Sequence, residues 1–176
     1  MTSTDLVSNS VDIESIGSQY LTFQLAGEVY AIDILNIREI IEYGDITIVP
    51  MMPSFIAGVI NLRGSVVPVI DLSIRFGGHS VDVTKRTSIV IVEVKDEDLQ
   101  LEVGVIVDVV DEVLDISPKD IEPAPAFGTS IRTDFIAGMG KIDGNLLVLL
   151  NVENVLSIEE LSVVNGLHEQ HANDAP

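Results

Sequence analysis

The chain has 176 residues, and nine Lys and Arg against 28 Asp and Glu give it a formal net charge of −19. That length suits one domain or two small intertwined ones, and 47% apolar residues can bury a sizeable core, which excludes a disordered chain. Zero cysteines exclude disulfide staples, thiol catalysis and cysteine-based zinc sites. The acidity makes nucleic acid and anionic lipid poor partners, and no apolar run approaches the ~18 residues of a membrane span.

Residues 1–18 are polar, carry no basic n-region or apolar h-region, and read as a loose disordered arm rather than a signal peptide. Leu21, Phe23 and Leu25 alternate with Thr22 and Gln24, the period of a half-buried strand. After a turn at Ala26-Gly27-Glu28, Tyr30, Ile32 and Ile34 resume the alternation. Ile37, Ile40 and Ile41 drift towards helical spacing, so this strand should bend or end in a helical turn. Pro50 and Pro53 forbid regular helix or central strand at residues 48–53. Two apolar runs then flank Asn61-Leu62-Arg63-Gly64, a hairpin whose turn needs the glycine.

Ser88 to Val94 reads as a fully buried strand, and Lys95 to Asp98 turns the chain back. Leu99, Leu101, Val103, Val105, Val107 and Val109 alternate over one long strand. A second Pro-rich connection follows at residues 121–126, and then a hairpin with Asp143-Gly144 at its tip. Ser157 and Glu160 have capping-box spacing and predict a short helix starting there, before a polar tail.

The chain repeats itself. Phe55-Ile56-Ala57-Gly58 recurs 80 residues later as Phe135-Ile136-Ala137-Gly138, and on that offset Gly64 falls on Gly144 and Asp71 on Asn151. Upstream, Arg38-Glu39-Ile40-Ile41 matches Asp111-Glu112-Val113-Leu114 at an offset of 73. Each copy holds about five strands, too few to be robust alone, and such units close into barrels that remove their edges. Two packed barrels leave a groove for a partner.

Chemistry is scarce. There is no phosphate loop, nucleophile elbow or zinc-protease motif. His79 sits in a Gly-Gly-His loop, and His168 and His171 lie in the tail, where a solvated role outweighs a metal clamp. Glu39 and Glu112, equivalent in the repeat, are the one carboxylate pair that a hydrolase could use. Asp96-Glu97-Asp98 lacks the glycine and distal Glu of a calcium loop. No metal or cofactor is expected. The first hairpin tip keeps Arg63 where its sister has Asp143, and the planar fork of Arg63 suits a carboxylate, with Glu39 a candidate in the same unit.

The runs YLTFQLAGEVYAIDILNIREII and FIAGVINLRGSVVPVIDL, with AGMGKIDGNLLVLLNVENVL in the second half, resemble the CheW family of bacterial chemotaxis coupling proteins over residues 19–157. The most specific element is Gly58 to Gly64 followed by Val67-Pro68-Val69-Ile70-Asp71-Leu72. The resemblance implies an all-β fold of two pseudo-repeated, five-stranded SH3-like barrels, the first at about 19–85 and the second at about 86–157 and intertwined, with a short helix and polar tail at 158–176. It implies no enzyme activity. It implies a cytoplasmic adaptor, recruited to membrane receptor arrays without inserting in the membrane. One partner is the regulatory domain of a CheA-type histidine kinase, docked barrel to barrel; the other is the cytoplasmic tip of chemoreceptors, held in the inter-barrel groove. Weak self-association fits the same docking mode. A non-flagellar pathway governing pili or surface behaviour fits the sequence as well as swimming does. Carried over residue by residue, the partner-binding positions are Ile37, Glu39, Gly58, Asn61, Arg63 and Gly64.

Overall fold

The computed structural model describes residues 18–96, 99–124 and 133–156. Eleven strands form within them: β1 (Ser18–Leu25), β2 (Glu28–Asp33), β3 (Ile37–Glu42), β4 (Ile56–Leu62), β5 (Ser65–Asp71), β6 (Ser88–Asp96), β7 (Leu99–Val107), β8 (Val109–Ile116), β9 (Ile121–Glu122), β10 (Ile136–Ile142) and β11 (Asn145–Leu150). Two short helices, α1 (Leu72–Arg75) and α2 (Val152–Leu156), follow the two matching hairpins. Each starts at an equivalent side chain: Asp71 Oδ1 accepts from the backbone N–H of Ser73, and Asn151 Oδ1 from that of Asn154. The helix expected from Ser157 lies outside the described residues.

The strands make two sheets, ordered β3-β6-β7-β5-β4 and β8-β1-β2-β11-β10-β9. The first uses residues 37–107 without interruption and is here the contiguous barrel. The second joins the opening hairpin to the last four strands and is the split barrel. A cut near residue 85 is therefore not where the barrels divide, because β6 and β7 pair with β3 and β5. Each barrel takes one two-strand hairpin, β6–β7 or β1–β2, from one repeat and its other strands from the other repeat. The registers agree in detail. Ile56 faces Ile70 and Gly58 faces Val69, while Ile136 faces Leu150 and Gly138 faces Leu149, with a bulge between each pair. The chain changes barrel at the helical turn Ile34–Asn36 and again at Asp108, which ends the long alternation between Leu99 and Val109.

Both barrels close by one device. Beyond β3 the chain runs on to Thr47, which pairs with Val59 of β4 through two backbone hydrogen bonds of 2.9 and 2.8 Å. Beyond β8 it runs on to β9, which pairs with β10 and makes a sixth, two-residue strand. Each closure needs a glycine opposite it. A Cβ on Gly58, at φ +153°, would sit on the Thr47 carbonyl oxygen and 2.6 Å from Ile46 Cγ2; one on Gly138 would lie 2.7 Å from Ile121 Cγ2.

Three apolar clusters result. Ile60, Val67, Ile89, Ile91 and Ile106 fill the contiguous barrel, and Ala31, Ile116, Leu147 and Leu149 fill the split one. The largest cluster lies between the barrels, where Leu21, Phe23, Tyr30 and Ile32 meet Val90, Val92, Val103, Val105 and Phe135. This explains the unbroken apolar run of β6, whose odd residues face a barrel interior and whose even residues face the other barrel. The space directly between the barrels is thus packed core, and a cavity of about 300 Å³ lined by Leu25, Tyr30, Phe76 and Gly77 remains at its edge.

Candidate interaction surface

The tip between β4 and β5 is a two-residue turn in which Arg63 (φ 53°) and Gly64 (φ 87°) are both left-handed, the conformation that continues the strand twist. Asn61 Oδ1 accepts from the Gly64 backbone N–H at 2.9 Å and fixes the turn. Arg63 therefore projects from the rim of the contiguous barrel. Its two terminal nitrogens donate to the two carboxylate oxygens of Glu39 at 2.6 and 2.7 Å, a parallel fork. Glu39 belongs to β3 and Arg63 to the β4–β5 tip, at opposite edges of the strand order, so the fork bridges the seam that Thr47 and Val59 close. The hydrogen bonds from Arg63 hold the Glu39 carboxyl below its usual range. Arg63 remains 74% exposed, so the pair shapes a surface more than it stabilises the fold.

A bulge at Arg38, between Ile37 and Glu39, turns this residue onto the same rim. Arg38 Nε lies 3.0 Å from Glu93 of β6 and 3.7 Å from Glu102 of β7. Lys95 Nζ approaches the other oxygen of Glu93 at 3.9 Å. Cations and carboxylates thus alternate across the end of the contiguous barrel.

Of the six residues named from sequence, Glu39 and Arg63 touch, and Asn61 and Gly64 build the turn that presents Arg63. Gly58 is buried and faces the seam, so it can influence a partner only through the shape of the barrel. Ile37 is half-buried against the core between the barrels, while Ile40 is 45% exposed. Ile37 lies opposite Val92 and Ile40 opposite Val90 of β6, so the bulge leaves both on one face, and Ile40 stands beyond the edge of the packed core. Sequence reading also passed over Arg38, Leu35, Ile48 and Met51; the last three are 86%, 80% and 96% exposed. Met51 sits at φ 64° between Pro50 and Pro53, and those prolines were the available signal. The carboxylates of Glu39 and Glu112 belong to different barrels and do not form a pair. His79 lines a surface cavity with Lys85 and Asp108. Among the described residues no three or more His, Asp or Glu are grouped to hold a metal, and no helix is long and apolar enough to cross a membrane.

Residues 19–160 match the CheW-like domain family. The chain belongs to the CheW family. It is 36% identical over 158 residues to the chemotaxis protein CheW of Klebsiella aerogenes, covering 90% of this chain and 93% of that one. It is also 36% identical over 152 residues to the chemotaxis protein CheW of Thermotoga maritima, covering 85% and 93%. Among solved structures it is similar to the scaffolding protein TtCheW from Thermoanaerobacter tengcongensis, at 37% identity and a TM-score of 0.73 over 82% of this chain and 90% of that one. The all-β pair of barrels with a short C-terminal helix is that CheW fold. By family the chain is a chemotaxis scaffold, and none of these relatives bears an enzyme's name.

Proposed function

We propose that this CheW-family chain is a non-catalytic adaptor that couples chemoreceptors to a CheA-type histidine kinase in a cytoplasmic array. In this reading the folded unit is residues 19–157, one barrel docks on the kinase's regulatory domain, and the receptor tip lies along the boundary of the two barrels. The observation that carries the reading is the Arg63–Glu39 fork. It is rigid and bidentate, it stands on a barrel rim rather than in a cavity, and it is surrounded by further charges and the exposed Ile40. Such a surface suits recognition of another protein, where charge fixes register and partner choice.

The test is reconstitution with the cognate kinase and a receptor cytoplasmic fragment, read by kinase activity. A stable ternary complex with altered kinase output supports coupling. Arg63→Ala and Glu39→Ala should each weaken one contact with the fold intact, and the double variant should lose less than the sum of the two. Failure of the folded wild-type chain to bind either partner would overturn the reading.

A further inference from the structure

The two barrels are related by the repeat, so their rims can be compared position by position. The registers make Asp111, Glu112 and Asp143 of the split barrel equivalent to Arg38, Glu39 and Arg63 of the contiguous one. By the same pairing Gln24 replaces Glu93 and Val29 replaces Glu102. Both arginines have thus become aspartates, and two of the carboxylates they met have become neutral. Among the described residues no cation pairs with Asp111, Glu112 or Asp143; Asp111 is held by the Gln24 amide at 3.2 Å. Lys141, the nearby basic residue of this hairpin, is engaged by Glu122.

The end of the split barrel is also open. A cavity of about 840 Å³ lies there, rimmed by those three carboxylates and floored by Leu114, Ile142 and Leu147. Apolar side chains stand exposed around it: Leu146 at 62% and Val29 at 42%. An exposed apolar recess with an uncompensated acidic rim suits a complementary, partly apolar cation.

We infer that the open end of the split barrel is a docking site for a protein segment that presents an arginine between apolar side chains. The guanidinium takes, from outside, the place on Glu112 that Arg63 takes on Glu39 from within. Arginine fits because its fork can meet two rim carboxylates while its stem lies on the apolar floor. A partner of this chemistry deepens the adaptor reading and rests on it for the partner's role, though the chemistry of the recess stands by itself.

The test uses the full chain, labelled with nitrogen-15, and two synthetic peptides: acetyl-Leu-Arg-Gly-Leu-amide and the same peptide with citrulline, neutral and nearly isosteric, in place of arginine. The arginine peptide should shift the amides of Val29, Leu114 and Leu146, and the citrulline peptide should bind about tenfold more weakly. Asp143→Arg should abolish the shifts, because the new side chain would reach Glu112 and fill the recess. That substitution is compatible with the backbone, since Asp143 (φ 50°) and Arg63 (φ 53°) have the same conformation. Should it fail to fold, Glu112→Gln reads the same contact. Equal binding of the two peptides, shifts located elsewhere, or no shift at millimolar peptide would overturn the inference. A parallel titration with the kinase regulatory domain separates the two readings. No arginine-peptide shifts in a wild-type chain that binds the kinase sinks the recess and spares the adaptor, whereas no kinase binding by the wild type sinks the adaptor and leaves the peptides to decide.

Discussion

Gly58→Ala tests how the contiguous barrel is closed. The added methyl would occupy the position of the Thr47 carbonyl oxygen, so the backbone of the crossing segment must move. Forcing extra volume into a packed site costs roughly 1–3 kcal/mol. The φ of +153° adds strain for any residue with a Cβ, of order 1 kcal/mol. Moving Thr47 also weakens its two hydrogen bonds with Val59, at about 1 kcal/mol each. Together these give roughly 4–6 kcal/mol, or a fall in Tm of roughly 10–20 °C for a domain of this size. Gly138→Ala is the internal control. There the nearest atom is the Ile121 methyl, which can rotate, and the backbone contact is a milder 3.1 Å to the Glu122 carbonyl. Its expected cost is about 1–2 kcal/mol. Thermal melts of the two variants, with hydrogen exchange at Thr47 and Val59, decide the matter. A Gly58→Ala melt equal to wild type, or one milder than Gly138→Ala, would refute the seam argument.

Phe23→Ala removes a fully buried ring from the core shared by the barrels and should cost about 3–5 kcal/mol. Because both barrels own that core, they should still melt in a single transition by calorimetry; two separated transitions would show independent units. Thr22→Val keeps the shape but deletes a hydroxyl that donates to the Glu112 carbonyl at 2.8 Å and accepts from its N–H at 3.1 Å, so urea unfolding should show a loss of about 1–3 kcal/mol. Arg63→Ala should return the Glu39 carboxyl upwards in a carbon-13 titration. Since the folded carboxyl titrates low, the pair's contribution is present above the usual Glu pKa of about 4.3 and is lost as pH falls through the folded value. Tyr30 is pushed above the ordinary tyrosine range, first by burial and then by its 2.8 Å hydrogen bond to Glu28. Comparing ultraviolet titrations of wild type and Tyr30→Phe should place its ionisation above pH ~10, and any associated stability is lost as pH rises beyond that point.

The sequence by itself determined the elements and their duplication. Alternation marked β1, β2 and β7, the dipeptides Arg63-Gly64 and Asp143-Gly144 marked two hairpin tips, and the matched segments fixed a twofold internal repeat. These are local signals: side-chain period follows from backbone pleat, and turns follow from φ. The pairing of Arg63 with Glu39 was legible as one candidate, because both lie in the first repeat and a guanidinium fork suits a carboxylate, and the structure shows it.

Only the tertiary structure decided which strand joins which barrel. The repeat is read along the chain, whereas pairing joins β3 to β6 and β2 to β11 across it, and hydrophobic pattern does not encode the partner. The unbroken apolar run of β6 announces burial on both faces, not that one face meets the other barrel. The bulge at Arg38 was equally silent in sequence; it makes the irregular spacing of Ile37, Ile40 and Ile41 fit one bent strand rather than a helical turn. Gly58 could be recognised as a special glycine, but its reason, the carbonyl of Thr47, lies eleven residues away in the chain and touches it only once the barrel has closed.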